Sequence, residues 1–107
     1  MFEKLGKLKY SKKIRIIRIQ KKDLRDGVNC IGDHFIIKNS ENYKIFDRIC
    51  DHAGGKIVSR NEQHICPLHN WKFFPNIGKY ENGIKKKQIK FIKKDNFLEF
   101  KEITSFP

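Results

Sequence analysis

The apolar residues of this chain fall in short runs cut by turn-forming residues. Ile14, Ile16, Ile17 and Ile19, with Arg15 and Arg18 between them, make a β-branched run that predicts a strand. Residues 21–29 contain Asp23, Asp26 and Gly27 and predict a loop or short turn. A hairpin follows. Residues 34–38 and 43–46 are strand-like, Asn39-Ser40-Glu41-Asn42 is the turn between them, and the second strand leads straight to Cys50. A second hairpin runs out over residues 56–59, turns at Arg60-Asn61-Glu62 and returns over 63–65 to Cys66. Residues 71–74 lead to a turn at Pro75-Asn76-Ile77-Gly78, and Asn82-Gly83 marks another. Residues 88–93 alternate apolar and polar, Lys94-Asp95-Asn96 turns, and residues 97–100 return, which predicts a hairpin with one buried face. No sustained 3.6-residue period, internal repeat or low-complexity segment is present. The expectation is an all-β fold, a small antiparallel sandwich or incomplete barrel. At 107 residues it forms a single domain over 1–107, with residues 1–11 as a mobile basic arm.

Four residues carry the chemistry: Cys50, His52, Cys66 and His69. They form two Cys-His pairs of unequal spacing, C-x-H and C-x-x-H. A Rieske [2Fe–2S] centre needs two thiolates on one iron and two imidazoles on the other. Each pair supplies one ligand of each kind, so two loops must close on the cluster from opposite sides. A structural zinc site is the competing reading, because Cys2His2 is a common zinc set. Zinc spacings usually keep two Cys together and two His together, whereas here the types are mixed within each pair.

The flanking residues extend the pattern. The first loop reads Cys50-Asp51-His52-Ala53-Gly54-Gly55, and the second Cys66-Pro67-Leu68-His69-Asn70-Trp71-Lys72-Phe73. This resembles the Rieske family, where C-x-H-x-G-G and C-P-x-H-x-W-x-F recur. Glycines allow close backbone approach to sulfur, and Pro67 stiffens the second loop. The resemblance implies a β-architecture with a two-loop cluster-binding subdomain at one tip, a [2Fe–2S] cofactor, and outward imidazole edges on His52 and His69. Thirteen residues separate His52 from Cys66, a shorter gap than is common in the family, which leaves less material to shield the cluster. High-potential relatives carry an extra Cys in each loop, joined as a disulfide. Ala53 or Gly54 and Leu68 stand there, which argues against that subclass. Those relatives also have Ser and Tyr hydroxyls beside the second loop. Trp71 and Phe73 occupy the matching places, so a potential at the low end of the family's range of about −150 to +300 mV is expected. The bland reading of both aromatics is core packing.

Cys30 has no evident partner and reads as a buried apolar filler. His34 and His64 have no ligand spacing and read as ordinary surface or core histidines. The absence of an apolar leader, of a membrane-length apolar stretch and of disulfides predicts a cytoplasmic location.

The formal net charge is +12, from 24 Lys and Arg against 12 Asp and Glu. An oxidised [2Fe–2S] core of about +2 offsets two thiolates, so loading leaves this balance unchanged. Three readings stay open: a Lys-rich composition, an acidic protein partner steered by charge, and nucleic acid. No RNA- or DNA-reading motif supports the last. Lys85-Lys86-Lys87 and Lys93-Lys94 read as solvated surface.

Three functional readings follow. In the first the chain is a Rieske-type ferredoxin, taking electrons from a reductase and passing them to an oxygenase or hydroxylase. In the second it is a split Rieske subunit. Residues 69–73 and Gly78-Lys79-Tyr80 resemble the N-terminal Rieske domain of CMP-N-acetylneuraminate hydroxylases, and ring-hydroxylating oxygenases are similar over C-P-x-H-x-W. No catalytic domain of such systems fits before Pro107, and no mononuclear-iron triad or dinucleotide fingerprint is present, so the chain is not expected to be an enzyme by itself. The third reading is a zinc-stapled basic binding module.

Overall fold

A computed structural model describes residues 11–50, 55–68 and 70–106. Among the described residues ten strands follow one another: β1 (Ser11–Gln20), β2 (Gly27–Ile31), β3 (His34–Asn39), β4 (Asn42–Asp47), β5 (Val58–Arg60), β6 (Gln63–Cys66), β7 (Trp71–Phe74), β8 (Lys79–Tyr80), β9 (Phe91–Lys93) and β10 (Phe97–Phe106). The only helical turn among the described residues is a 3-10 turn at Lys21–Asp23. Every strand pairing is antiparallel. This is the all-β class expected from the turn-punctuated pattern.

The chain divides into two compact units. The first joins Met1–Asp23 to Phe91–Pro107 and contains the sheet β1-β10-β9. Ile17 pairs with Phe100 and Ile19 with Leu98, which puts these four side chains on one face. Ile19, Leu98 and Phe100 are buried, while Ile14 and Ile16 on β1 are exposed. The arm expected over residues 1–11 lies outside the described residues, apart from Ser11, where β1 begins.

The second unit, Leu24–Lys90, contains the sheets β2-β3-β4 and β5-β6-β7-β8. β2 occupies part of the segment read as a loop. The signal missed was Gly32-Asp33, two residues between Ile31 and His34, which pair across the turn. Gly32 has φ +56°, the left-handed conformation that a tight two-residue hairpin uses. The expected strand at 88–93 shrinks to Phe91–Lys93. Between β5 and β6, Asn61 and Glu62 both have positive φ (49° and 66°), as a type I′ turn requires.

The core of this unit is shared by both sheets. Phe35, Ile37 and Phe46 from one meet Cys66, Phe73 and Tyr80 from the other, with Cys50 and Ile57 from the connecting loop. Phe73 is the hub, with ring centroids 5.7 Å from Phe35, 5.5 Å from Phe46 and 5.2 Å from Tyr80. Such aromatic pairs add about 0.5–1.5 kcal/mol each beyond their burial. Both cysteines of the motif therefore belong to the packed core.

Candidate metal centre

The first loop leaves β4 and re-enters the sheets at β5. Its two ends are fastened by backbone bonds. Ile49 bridges Lys56, Ile57 N–H donates to Arg48 C=O at 2.7 Å, and Cys50 N–H donates to Gly55 C=O at 2.6 Å. The Arg48 guanidinium adds a clamp. Its Nε and Nη2 donate to Ile57 C=O at 3.2 and 3.0 Å, and its Nη1 donates to Gly32 C=O at 3.2 Å. Arg48 also stacks over the Phe35 ring at 5.6 Å. Residues 48–50 and 55–57 are thus fastened together, with Cys50, buried to 1% exposure, at this neck.

The second loop connects β6 to β7. Cys66 pairs with Trp71 across the ladder, and Asn70 N–H donates to Cys66 C=O at 2.7 Å. Asn70 takes φ +58°, a left-handed conformation that Asn tolerates better than most residues. Cys66 is fully buried. His52 and His69 lie outside the described residues, so the structure places two of the four expected site residues. Among the described residues no group of three metal-ligating side chains is present.

The two loops meet at Gly55. A Cβ built there would stand 3.3 Å from Cys66 Sγ and 2.7 Å from Leu68 Cδ1. A side chain at position 55 would displace the Leu68 tip and crowd Cys66 Sγ by a few tenths of an ångström. Neither Cys50 nor Cys66 is in a disulfide. Two buried thiols, neither in a disulfide, stand on neighbouring loops, and two thiolates are what one iron of a Rieske-type cluster takes.

The Rieske [2Fe–2S] domain family matches over residues 13–97. The chain belongs to this family. No curated protein is significantly similar to it in sequence. A Rieske domain binds a [2Fe–2S] cluster and serves in electron transfer, and the closed loops around Cys50 and Cys66 are consistent with that role. Among the described residues no helix is long and apolar enough to cross a membrane.

Three expectations about the surroundings need correction or refinement. Cys30 is exposed, not a core filler. On β2, the edge strand of its sheet, it pairs with buried Phe35. Its Sγ lies 4.0 Å from Ser59 Oγ, which in turn lies 3.0 Å from His64 Nδ1. Lys86, read as solvated within its lysine run, is buried. Its neighbours Lys85 and Lys87 are exposed, as expected. Trp71 is half-buried and Phe73 fully buried, edge and hub of the aromatic core.

His64 packs edge-on against Phe35 at 5.0 Å. Burial, with a smaller effect of the nearby Arg48 charge, holds its pKa below the ordinary 6.5. Asp33 is held below the usual 3.8, first by its hydrogen bond to Lys56 and then by the charge of that lysine. Their ion pair, 2.8 Å long and exposed on both sides, ties the first loop to the β2–β3 turn. Arg48 and Lys86 were not identifiable as loop anchors from sequence. Only the position of Arg48, two residues before Cys50, hinted at its role.

Proposed function

We propose that the chain is a one-electron carrier of the Rieske-type ferredoxin kind, accepting electrons from a reductase and delivering them to an oxygenase or hydroxylase. Cys50 and Cys66 are assigned as thiolate ligands, and His52 and His69 as imidazole ligands. The bound cluster supplies reversible one-electron chemistry. The observation that carries the reading is the apposition of two closed loops, each with a buried unpaired cysteine at its neck, and Gly55 set against Cys66 Sγ. The family match spans segments of both compact units, which supports one functional domain over 1–107.

Within this reading the protein's part is to hold, shield and tune. Phe73 offers no hydrogen-bond donor beside the second loop, which supports a potential in the lower part of the family range. Ile49 and Leu68 are exposed apolar side chains on the two loops, and the exposed Lys56 lies on the first. Together with the net charge of +12 they suit an acidic redox partner that docks on apolar contacts and is steered by charge. Three unpaired thiols agree with a reducing, cytoplasmic setting.

Visible absorption and EPR of anaerobically purified protein, oxidised and then reduced, test the assignment. The expected result is a red-brown protein whose reduced form has the lowered average g-value of a His-ligated [2Fe–2S] centre. Single replacement of Cys50, His52, Cys66 or His69 is expected to abolish or alter that signal, whereas His34→Ala and His64→Ala leave it in place. A colourless protein with one zinc, or a signal lost with His64 and kept without His69, overturns it. An activity that appears only on mixing with one co-purifying catalytic chain would replace the general carrier with a dedicated subunit.

A further inference from the structure

Lys86 is one of two buried polar side chains among the described residues, and its side chain is only 2% exposed. Its Nζ donates to the carbonyl of Ile49, the residue directly before Cys50, and lies 2.7 Å from Asp47 Oδ1. Asp47 Oδ1 also accepts from Ile49 N–H at 3.1 Å. Asp47, Ile49 and Lys86 are thus linked to one another at the neck of the first loop. Lys86 is held there by its own N–H, which donates to Gly78 C=O at 2.8 Å.

A buried ammonium is expensive to desolvate, and an apolar residue would fill the same space more cheaply. Standard bond lengths put an ammonium bonded to the Ile49 carbonyl within about 8 Å of Cys50 Sγ. At that range in a protein interior a unit charge acts strongly on a group that gains an electron. We propose that Lys86 and Asp47 are an opposed charge pair that sets the reduction potential of the centre held by Cys50, with Lys86 also positioning the first loop. The ammonium favours the reduced state and the carboxylate opposes it. This rests on the electron-transfer reading above.

The test is an EPR-monitored redox titration of iron-loaded wild type, Lys86→Met, Lys86→Arg and Asp47→Asn. Lys86→Met is expected to lower the reduced-to-oxidised ratio at fixed potential about tenfold, which for one electron is about 59 mV. Asp47→Asn keeps the oxygen that accepts from Ile49 N–H, removes the negative charge, and is expected to raise the ratio by a smaller factor, because the Asp47 side chain is 46% exposed and screened by solvent. Lys86→Arg is expected to stay near wild type. Loosening of the loop has no reason to give opposite signs, so shifts of the same sign, or none, overturn the proposal. If Lys86→Met fails to load iron, Asp47→Asn decides alone, and an unchanged potential there overturns it. A wild-type protein without a [2Fe–2S] signal would overturn the electron-transfer reading itself, whereas a normal signal with unmoved potentials would overturn only the charge pair.

Discussion

Replacing Gly55 with alanine puts a methyl group where the two loops touch. The added Cβ meets Leu68 Cδ1 at 2.7 Å, Leu68 Cγ at 3.2 Å and Cys66 Sγ at 3.3 Å. Carbon atoms pack best about 3.5–4.0 Å apart, so the Leu68 methyl must withdraw by about 1 Å. Leu68 is 61% exposed and has room to swing outward. Cys66 has no such freedom, because it is fully buried, paired to Trp71 and capped by Asn70 N–H. A few tenths of an ångström at the sulfur must therefore come from separating the loops. Overpacking costs about 1–3 kcal/mol, and the mobile leucine places this case near the lower end. For a domain of this size about 1 kcal/mol lowers Tm by about 4–8 °C. The assay is thermal unfolding of the iron-loaded protein together with visible circular dichroism of the cluster. The double variant Gly55→Ala/Leu68→Ala relieves the leucine contact and leaves the sulfur contact. It is expected to recover most of the Tm while keeping the altered visible spectrum. A single variant with wild-type Tm, iron content and visible spectrum would refute the close approach of the loops at Cys66.

Three further substitutions test the fold and its pH dependence. Gly78→Ala combines a left-handed backbone (φ +67°) with a Cβ 2.8 Å from Cζ of buried Phe46, whereas Gly83→Ala is left-handed (φ +88°) with nothing within 4 Å. Backbone strain alone costs about 1–2 kcal/mol. Denaturant unfolding is expected to show Gly78→Ala losing at least about 1 kcal/mol more than Gly83→Ala, and equal losses would mean that Phe46 yields freely. The folded pKa of Asp33 lies below its ordinary 3.8, so its stabilising contribution is complete above that value and is lost as pH falls through the lower folded one. Because the Asp33–Lys56 pair is exposed, Asp33→Asn should change stability at neutral pH by less than about 1 kcal/mol and make the acid limb of a pH–stability curve shallower. A steeper acid limb in that variant would show that the sign is wrong.

The family motif and the strand class were readable from the chain because both are local. A C-x-H and a C-P-x-H beside Gly-Gly and Trp specify donor chemistry by residue type and spacing alone. Turn residues such as Asn39–Asn42 and Asn61-Glu62 set strand ends through backbone preferences that act within a few residues. β2 was missed because Asp23, Asp26 and Gly27 read as loop, while the pairing that makes it a strand lies across Gly32-Asp33. The exposure of Cys30 depends on what packs over that end of β2, which no single segment carries.

Which groups meet was settled by folding. Gly55 against Cys66, Arg48 clamped on Ile57, and Lys86 bonded to the Ile49 carbonyl join positions far apart in the chain or hidden within a charge run. Burial turns Lys86 from one of three adjacent lysines into a charge at the neck of a ligand loop, because its backbone is tied to Gly78 and its ammonium to Asp47. Residue order alone was enough to read the family motif and a small antiparallel β-framework. Folding determined how closely the two cysteine loops approach and which charge stands behind them, since both depend on long-range packing that local residue order does not encode.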